Sequence, residues 1–400
     1  MHPASQLRAT KSRKLQGKVI VLGITGSIAA VKCVELIREL IRHGAEVYPV
    51  MSDAAEGIVH ANSIEFAAGR KPVTRLDGSV PYIEMFGRGG RADLLLIAPA
   101  TSNTISKIAT GVDDTAVTTY AQNALGSGAP ILIAPAMHET MYDQPIVQQN
   151  VAKLWSLGVQ FVEPRMDEDK AKLADIDSIV AHVIRRLGPP DLAGKDVIVI
   201  AGGTVEPIDD MRVVTNRSTG AMGIELARSA FERGGNVELW LGRHEVVPPR
   251  WLPIKAFETT ADLLKMVKGI TCDYCLVPAA ISDFAPRPRA GKIPTAKGRL
   301  TLDLDPTPKV IDAIRRETKC TLVAFKAESG VTKRELVARA KKSLRESKAD
   351  FIVANDLKKV TKAKTALTVL SAKGRARDFE GPKAAAADFI WEVVAHPRRG

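Results

Sequence analysis

Cysteine is scarce in this 400-residue chain, occurring only at Cys33, Cys272, Cys275 and Cys320, and four scattered thiols do not make the disulfide framework of a small secreted domain. Cys272 and Cys275 form a lone C-x-x-C with no second pair to complete a zinc site. At the start of an apolar strand, alternation is expected to separate their side chains, which predicts buried or half-buried thiols rather than a metal or redox pair. Aromatic residues are also few, at 5%, and are not interleaved with basic ones, which disfavours a stacking platform for single-stranded nucleic acid. No apolar run is long enough to span a bilayer, and residues 1–18 lack the apolar segment of a secretory signal. The expectation is a cytoplasmic protein without membrane or nucleic-acid partners, whose residues 1–17 form a disordered basic leader.

What is present is an ordinary globular composition, 45% hydrophobic and 26% charged, with 57 basic against 45 acidic side chains and a net charge of +12. That excess favours anionic ligands, and phosphorylated small molecules satisfy it as well as nucleic acid does. The length predicts two domains. Short β-rich runs at 19–23, 46–51, 94–98, 131–134 and 159–162 alternate with helical segments, and Ile28, Val31, Val34, Ile37 and Ile41 mark one helix face between the first two. A break follows at 185–195, where glycine and proline interrupt regular structure. The pattern then restarts with strands at 197–200, 237–241, 274–277, 322–325 and 351–354, and helices at 222–233, 308–316 and 333–347. Residues 299–304 alternate polar and apolar, as an antiparallel or edge strand does. The reading is α/β throughout: two doubly wound domains, the first flavodoxin-like and the second Rossmann-like, at 18–188 and 189–400.

Chemistry-bearing loops fall at strand ends. Gly26, Ser27 and Ile28 lie where the first strand meets its helix, a place suited to one phosphate because free amides and the helix dipole favour an anion. Thr101, Ser102 and Asn103 follow the third strand, and Met137 and His138 the fourth, so three strand ends are expected to converge on one crevice. In the second half, residues 201–209 (A-G-G-T-V-E-P-I-D) and 214–223 (V-T-N-R-S-T-G-A-M-G) follow an apolar strand and lead into a helix. They are not a G-x-G-x-x-G fingerprint, and Asn216, Ser218 and Thr219 add polar groups that turn closure does not need.

These motifs carry a resemblance. Gly26 to Lys32 (G-S-I-A-A-V-K), Pro99 to Asn103 (P-A-T-S-N) and Pro135 to Tyr142 (P-A-M-H-E-T-M-Y) resemble the flavin-dependent phosphopantothenoylcysteine decarboxylases. The resemblance implies FMN held by Gly26, Ser27, Ile28, Thr101, Ser102, Asn103 and Met137. Three departures stand out: His138 replaces the family asparagine, Tyr82 falls where an active-site histidine is usual, and the clamp cysteine is missing. In its place stands the charged segment 163–172, either a solvated loop or a substrate-covering loop using Lys170 or Lys172. His138 and Tyr82 are the candidate catalytic residues of this half.

The second half resembles phosphopantothenate-cysteine ligase, through residues 201–209, 212–223, 277–284 (V-P-A-A-I-S-D-F), Lys292-Ile293, 308–311 and 353–356 (V-A-N-D). That family activates the phosphopantothenate carboxylate on CTP as an acyl-cytidylate, which the cysteine amine then opens. The resemblance implies that Asn216 holds the acyl-cytidylate with Arg212 near it, that Lys292 serves acyl transfer, and that Ala279 and Asp283 lie on the nucleotide. It places Pro308, Lys309, Val310, Ile311, Phe325, Lys341 and Arg345 around CTP, whose phosphates bring Mg2+. A solvated basic helix face is the other reading of Lys341 and Arg345. The substrates implied are 4'-phosphopantothenate, L-cysteine and CTP, and the assembly a homo-oligomer, trimeric through the flavin half and dimeric through the ligase half. Two other functions fit parts of the pattern: a ligase whose flavin-binding half has little decarboxylase activity, and a regulatory flavoprotein of the phosphatase-inhibitor kind.

Overall fold

The computed structural model describes residues 2–167, 170–294, 298–361 and 364–396, and its chain divides into two units, one ending at Pro189 and one beginning at Pro190. In the first unit the strands are β1 (Val19–Ile24), β2 (Glu46–Met51), β3 (Leu94–Ala100), β4 (Ile131–Pro135), β5 (Met137–His138), β6 (Gln160–Phe161), β7 (Arg165–Asp167) and β8 (Lys170–Lys172). β2-β1-β3-β4-β6 form a parallel sheet. Its central strands are nearly continuous apolar runs, as a sheet covered on both faces requires, and β3 is buried along its whole length. One core face packs against the helix Cys33–Arg42, which buries Cys33, Leu36, Ile37, Leu40 and Ile41 at helical spacing.

That stripe differs from the expected one. Residues 28–32 form a 3-10 turn, which rotates the register before the α-helix begins, and Ile28 and Val31 are left 78% and 53% exposed. The disordered leader is likewise corrected. Pro3–Gln6 is helical, Leu15 is fully buried, and the Leu15 amide bonds the His43 carbonyl at 2.9 Å. The basic composition hid two apolar anchors, Ala4 and Leu15, that belong to the core. The segment 163–172 is not an irregular loop, because β7 and β8 pair within it. β5, β8 and β7 form an antiparallel sheet that sets Lys170 opposite His138, and Glu168 and Asp169 lie outside the described residues.

The second unit contains β9 (Asp196–Ala201), β10 (Val205–Pro207), β11 (Val213–Thr215), β12 (Asn236–Leu241), β13 (Ile254–Ala256), β14 (Tyr274–Val277), β15 (Phe284–Pro286), β16 (Leu304–Pro306), β17 (Thr321–Glu328), β18 (Phe351–Asp356), β19 (Lys364–Ser371) and β20 (Ala376–Pro382). The sheet runs β13-β12-β9-β14-β17-β18-β19-β20, parallel through β18 and antiparallel beyond it. The helices Ala221–Glu232 and Lys383–Ala395 pack on one face, where Trp391 is buried and its indole N–H donates to the Leu226 carbonyl at 2.9 Å. Of the strand expected at 299–304 only its last residue pairs, in β16 against β15. Leu300 and Leu302 stay 42% and 39% exposed, so the alternation there has no core to face. Cys275 and Cys320 are buried and Cys272 half-buried, as expected, but β14 begins at Tyr274, so strand alternation does not govern Cys272, and the three thiols lie close together rather than apart.

Aspartates at the N-terminal edges fix neighbouring strands. Asp93 accepts the Val19 amide at 2.8 Å and Lys18 Nζ at 3.1 Å. Asp273 does the same for the Asp196 amide at 2.9 Å and Lys195 at 3.1 Å. Asp350 accepts the Leu322 amide at 2.9 Å and Arg315 at 2.7 Å.

Candidate functional site

In the first unit the strand order reverses between β1 and β3, which opens a crevice beyond their C-terminal ends. Ser27 caps the turn Ile28–Lys32 by accepting the Ala29 amide at 3.4 Å. Thr101 caps the helix Ser102–Thr110 through the Thr104 amide at 3.3 Å, so that helix directs its first-turn amides to the crevice. Thr25, which sequence reasoning passed over, ties these two loops together. Its hydroxyl donates to the Pro99 carbonyl at 2.7 Å and accepts the Thr101 amide at 3.1 Å. The third loop joins through the Ala136 amide on the Ala100 carbonyl at 2.9 Å, immediately before Met137 and His138. Gly26, Ser27, Thr101, Ser102 and Asn103 are thus brought to one edge with Met137 half-buried and His138 exposed beside them. Small hydroxyls, capped helix amides and an uncovered Ile28 suit a group that combines a phosphate with an apolar ring. Tyr82 lies in the helix Pro81–Phe86, half-buried against the apolar core, and packs edge-on against Tyr120, ring centroids 6.3 Å apart. Lys172 is half-buried in β8.

The second unit reverses its strand order between β9 and β14, and there the loop after β9 is sewn to the loop after β14. Gly202, at φ +82°, turns the chain off β9 and accepts the Ala280 amide at 2.8 Å. Gly203 exchanges two backbone bonds with Arg243, each 2.9 Å. Thr204 is fully buried, and its hydroxyl accepts the Ser282 amide at 2.9 Å. Buried Glu206 accepts the amide and hydroxyl of Thr260 at 3.0 and 2.6 Å. Asn216 donates its amide to the Ala280 and Ile281 carbonyls at 3.4 and 3.2 Å, which joins it to the segment holding Ala279 and Asp283. The Ser282 hydroxyl is buried and makes no hydrogen bond among the described residues, an open position beside this seam.

Arg212 and Lys292 are joined through a residue the sequence motif contained but no role was given to. Asp209, its side chain wholly buried, accepts the Met211 amide at 2.9 Å, the Arg212 amide at 2.7 Å, the Arg212 guanidinium at 2.6 Å and the Ile293 amide at 3.0 Å. The Ile293 amide, together with those of Met211 and Arg212 and the guanidinium, holds this carboxyl at about 2. Arg212 also donates to the Ile293 carbonyl at 3.2 Å, so Arg212 and the residue following Lys292 are held face to face. Lys292 itself is exposed.

The remaining candidates scatter. Asp283 and Lys309 form an ion pair with each other, while Val310 is buried and Ile311 packs in the apolar core. The helix expected from Pro308 begins at Val310, leaving Pro308 in the turn before it. Phe325 packs against the opposite core face. Lys341 and Arg345 are exposed on the helix Lys333–Ser347, and among the described residues no hydrogen bond or ion pair joins them to the β9–β14 crevice. No group of three or more His, Cys, Asp or Glu among the described residues is arranged to hold a metal ion.

Two switch-point crevices, each lined by amides and small polar side chains at the carboxyl edge of a parallel sheet, define a two-domain α/β protein that handles phosphorylated small molecules. The flavoprotein family matches residues 8–188, and the C-terminal domain of the DNA/pantothenate metabolism flavoproteins matches 192–397. The coenzyme A biosynthesis bifunctional protein CoaBC of Thermococcus kodakarensis is 47% identical over 365 residues, 90% of each chain. Its counterpart in Methanocaldococcus jannaschii is 36% identical over 364 residues, 90% of this chain and 88% of that one. The Bacillus subtilis protein is 32% identical over 365 residues, 86% and 87%. The chain belongs to the CoaBC family of bifunctional enzymes of coenzyme A biosynthesis, with decarboxylase and ligase activities. Among the described residues no helix is long and apolar enough to cross a membrane.

Proposed function

We propose that residues 189–400 ligate 4'-phosphopantothenate to L-cysteine with CTP, and that residues 18–188 decarboxylate the product to 4'-phosphopantetheine with FMN. The observation that carries the ligase assignment is the seam between Asn216 and the Ala280–Ile281 carbonyls, continued through Asp209 to the Lys292 loop. The phosphopantothenate carboxylate attacks the α-phosphorus of CTP, pyrophosphate leaves, and an acyl-cytidylate remains. Asn216 and Arg212 hold that mixed anhydride, Arg212 facing the negative charge that grows on the acyl oxygen. Lys292 serves the second step, in which the cysteine amine attacks the acyl carbon and CMP departs. Mg2+ arrives on the triphosphate, because that ion keeps waters and binds mainly through substrate phosphates.

In the first unit Gly26, Ser27, Ile28, Thr101, Ser102, Asn103 and Met137 would hold FMN, the amides and hydroxyls of the strand-end loops suiting its phosphate. FMN, when bound, supplies the two-electron oxidation of the cysteinyl end that permits loss of carbon dioxide, and returns the electrons afterwards. His138, with Lys170 opposite it and Lys172 on the same strand, faces the substrate carboxylate. The place of the chain is the cytoplasm and its state a homo-oligomer, trimeric through the first half and dimeric through the second.

The purified chain is supplied with phosphopantothenate, cysteine, CTP and Mg2+ while pyrophosphate, carbon dioxide and yellow bound flavin are followed. Pyrophosphate, carbon dioxide and bound flavin appearing together support the full reading, and absence of pyrophosphate overturns the ligase assignment. A second reading, ligase activity with a weak decarboxylase, draws on Tyr82, whose ring packs against Tyr120 where the family carries a histidine. Pyrophosphate without carbon dioxide selects it.

A further inference from the structure

Asp209 is the most heavily bonded carboxylate near the second crevice, and its partners come from two segments far apart in sequence. On one side it closes the turn 209–212, through the Met211 and Arg212 amides and the Arg212 guanidinium. On the other it accepts the Ile293 amide, next to Lys292. Arg212 completes a ring by donating to the Ile293 carbonyl at 3.2 Å. Two further bonds tie the same segments: the Gly291 amide to Asp210 at 3.0 Å and the Arg289 amide to the Ile208 carbonyl at 3.0 Å. A neutral side chain at 209 has one acceptor oxygen at most for four donors, and it leaves the Arg212 guanidinium without its counter-charge.

We infer that Asp209 is a positioning residue of the ligase: its carboxylate locks the Arg212 turn to the Lys292 segment, so that both cations are presented to the acyl-cytidylate as one rigid unit. This rests on the ligase reading proposed above. The two cations serve successive events, charge growth on the acyl oxygen and amine attack, and the gain from holding both is lost when a reacting group is misplaced by about 1 Å. A residue that only closed its own turn has no reason to bond the Ile293 amide.

The test uses the full chain with Asp209→Asn, Asp209→Ala and, for comparison, Asp210→Asn, which weakens the bond from the Gly291 amide to the same extent by removing the charge, without touching Arg212. Pyrophosphate release, cysteine-dependent consumption of the acyl-cytidylate, and amide hydrogen exchange over 289–294 are measured. Asp209→Asn is expected to slow the cysteine-dependent step by about 30-fold or more. The KM for CTP stays within about threefold, and the 289–294 amides exchange faster. Asp210→Asn keeps the cysteine-dependent step within about threefold of the unaltered chain. Equal losses in Asp209→Asn and Asp210→Asn overturn the inference, since segment order alone then accounts for them, and so does unaltered turnover in Asp209→Asn. Where Asp209→Ala fails to fold, Asp209→Asn and Asp209→Glu carry the same readouts. An unaltered chain that releases no pyrophosphate sinks the ligase reading, whereas unchanged exchange over 289–294 in the Asp209 variants overturns the lock by itself.

Discussion

Replacing Gly223 by alanine tests how closely the helix Ala221–Glu232 must approach β9. An added Cβ meets the Ala201 Cβ at 2.2 Å, the Pro278 Cγ at 3.2 Å and the Ala201 Cα at 3.3 Å. The first distance is about 1.2 Å short of ordinary contact, and its partner is fixed to the backbone, so the helix itself must move. Overpacking of this severity costs about 3 kcal/mol, against a gain of about 1 kcal/mol from alanine's better helix propensity. The net loss of about 2 kcal/mol lowers the unfolding midpoint of a unit of this size by about 4–8 °C. The helix start carries Gly220 and the Asn216 loop before it, so pyrophosphate release is expected to fall by about tenfold or more. Scanning calorimetry and a CTP-dependent pyrophosphate assay measure the two effects. The double variant Ala201→Gly with Gly223→Ala removes the 2.2 Å contact and should recover much of the activity. A Gly223→Ala chain with unaltered midpoint and rate, or a double variant no better than the single one, refutes the reasoning.

Ser282→Ala removes a buried hydroxyl that has no partner among the described residues. It should leave the free protein as stable or slightly more so, by up to about 1 kcal/mol, while raising the KM for CTP or phosphopantothenate several-fold; a destabilised variant with unaltered KM argues against a ligand-facing hydroxyl. Trp391→Phe deletes the indole donor to the Leu226 carbonyl and part of a fully buried ring, costing about 2–4 kcal/mol in thermal unfolding, with substrate KM values unchanged. His43 is held down to about 4, by burial first and then by Lys11, despite Glu39 beside it. Because the unfolded chain takes a proton on this imidazole near 6.5 and the folded chain does not until about 4, stability is lost as pH falls through that window, by up to about 3 kcal/mol. His43→Gln should flatten the pH dependence of the midpoint between those limits, and an equally steep dependence in the variant assigns the slope to other groups. Tyr82→Phe keeps the ring packing against Tyr120, so carbon dioxide release should stay within about threefold, and a loss of about 100-fold shows that the hydroxyl takes part.

The parallel sheets and their switch points were legible because buried strands write themselves as apolar runs: 197–200 lies within β9 and 274–277 coincides with β14. The hairpin β19–β20 was not read, because it follows the lysine-rich stretch 358–364 and its outer strand alternates exposed and half-buried residues without an apolar run. Ile28 and Val31 fitted a helical stripe by spacing alone, and a 3-10 turn defeats any argument that assumes 3.6 residues per turn. At the site, residue types along the loops were readable from the motifs, but contacts across the crevice were not. That Asp209 reaches Ile293 across 84 positions, or that Asn216 reaches Ile281 across 65, depends on which strands become neighbours. Cys272, Cys275 and Cys320 meet for the same reason, since parallel pairing of β14 with β17 brings Cys320 level with the residues just before β14.

The aspartates Asp93, Asp273 and Asp350 sit at the edge of each sheet remote from the crevices. Asp93 and Asp273 grip the first amide of a neighbouring strand and Asp350 the second, and a strand advances about 3.3 Å per residue. A slip of one residue in that grip therefore lifts the whole strand, and the loop at its far end, by about 3.3 Å. These carboxylates act as levelling feet: Asp273, between β9 and β14, sets the height at which the Gly202 and Ala280 loops arrive at their crevice, and Asp93, between β1 and β3, does so for the loops after those strands. Weakening one of them is accordingly a way to detune the chemistry from the opposite edge of its own sheet.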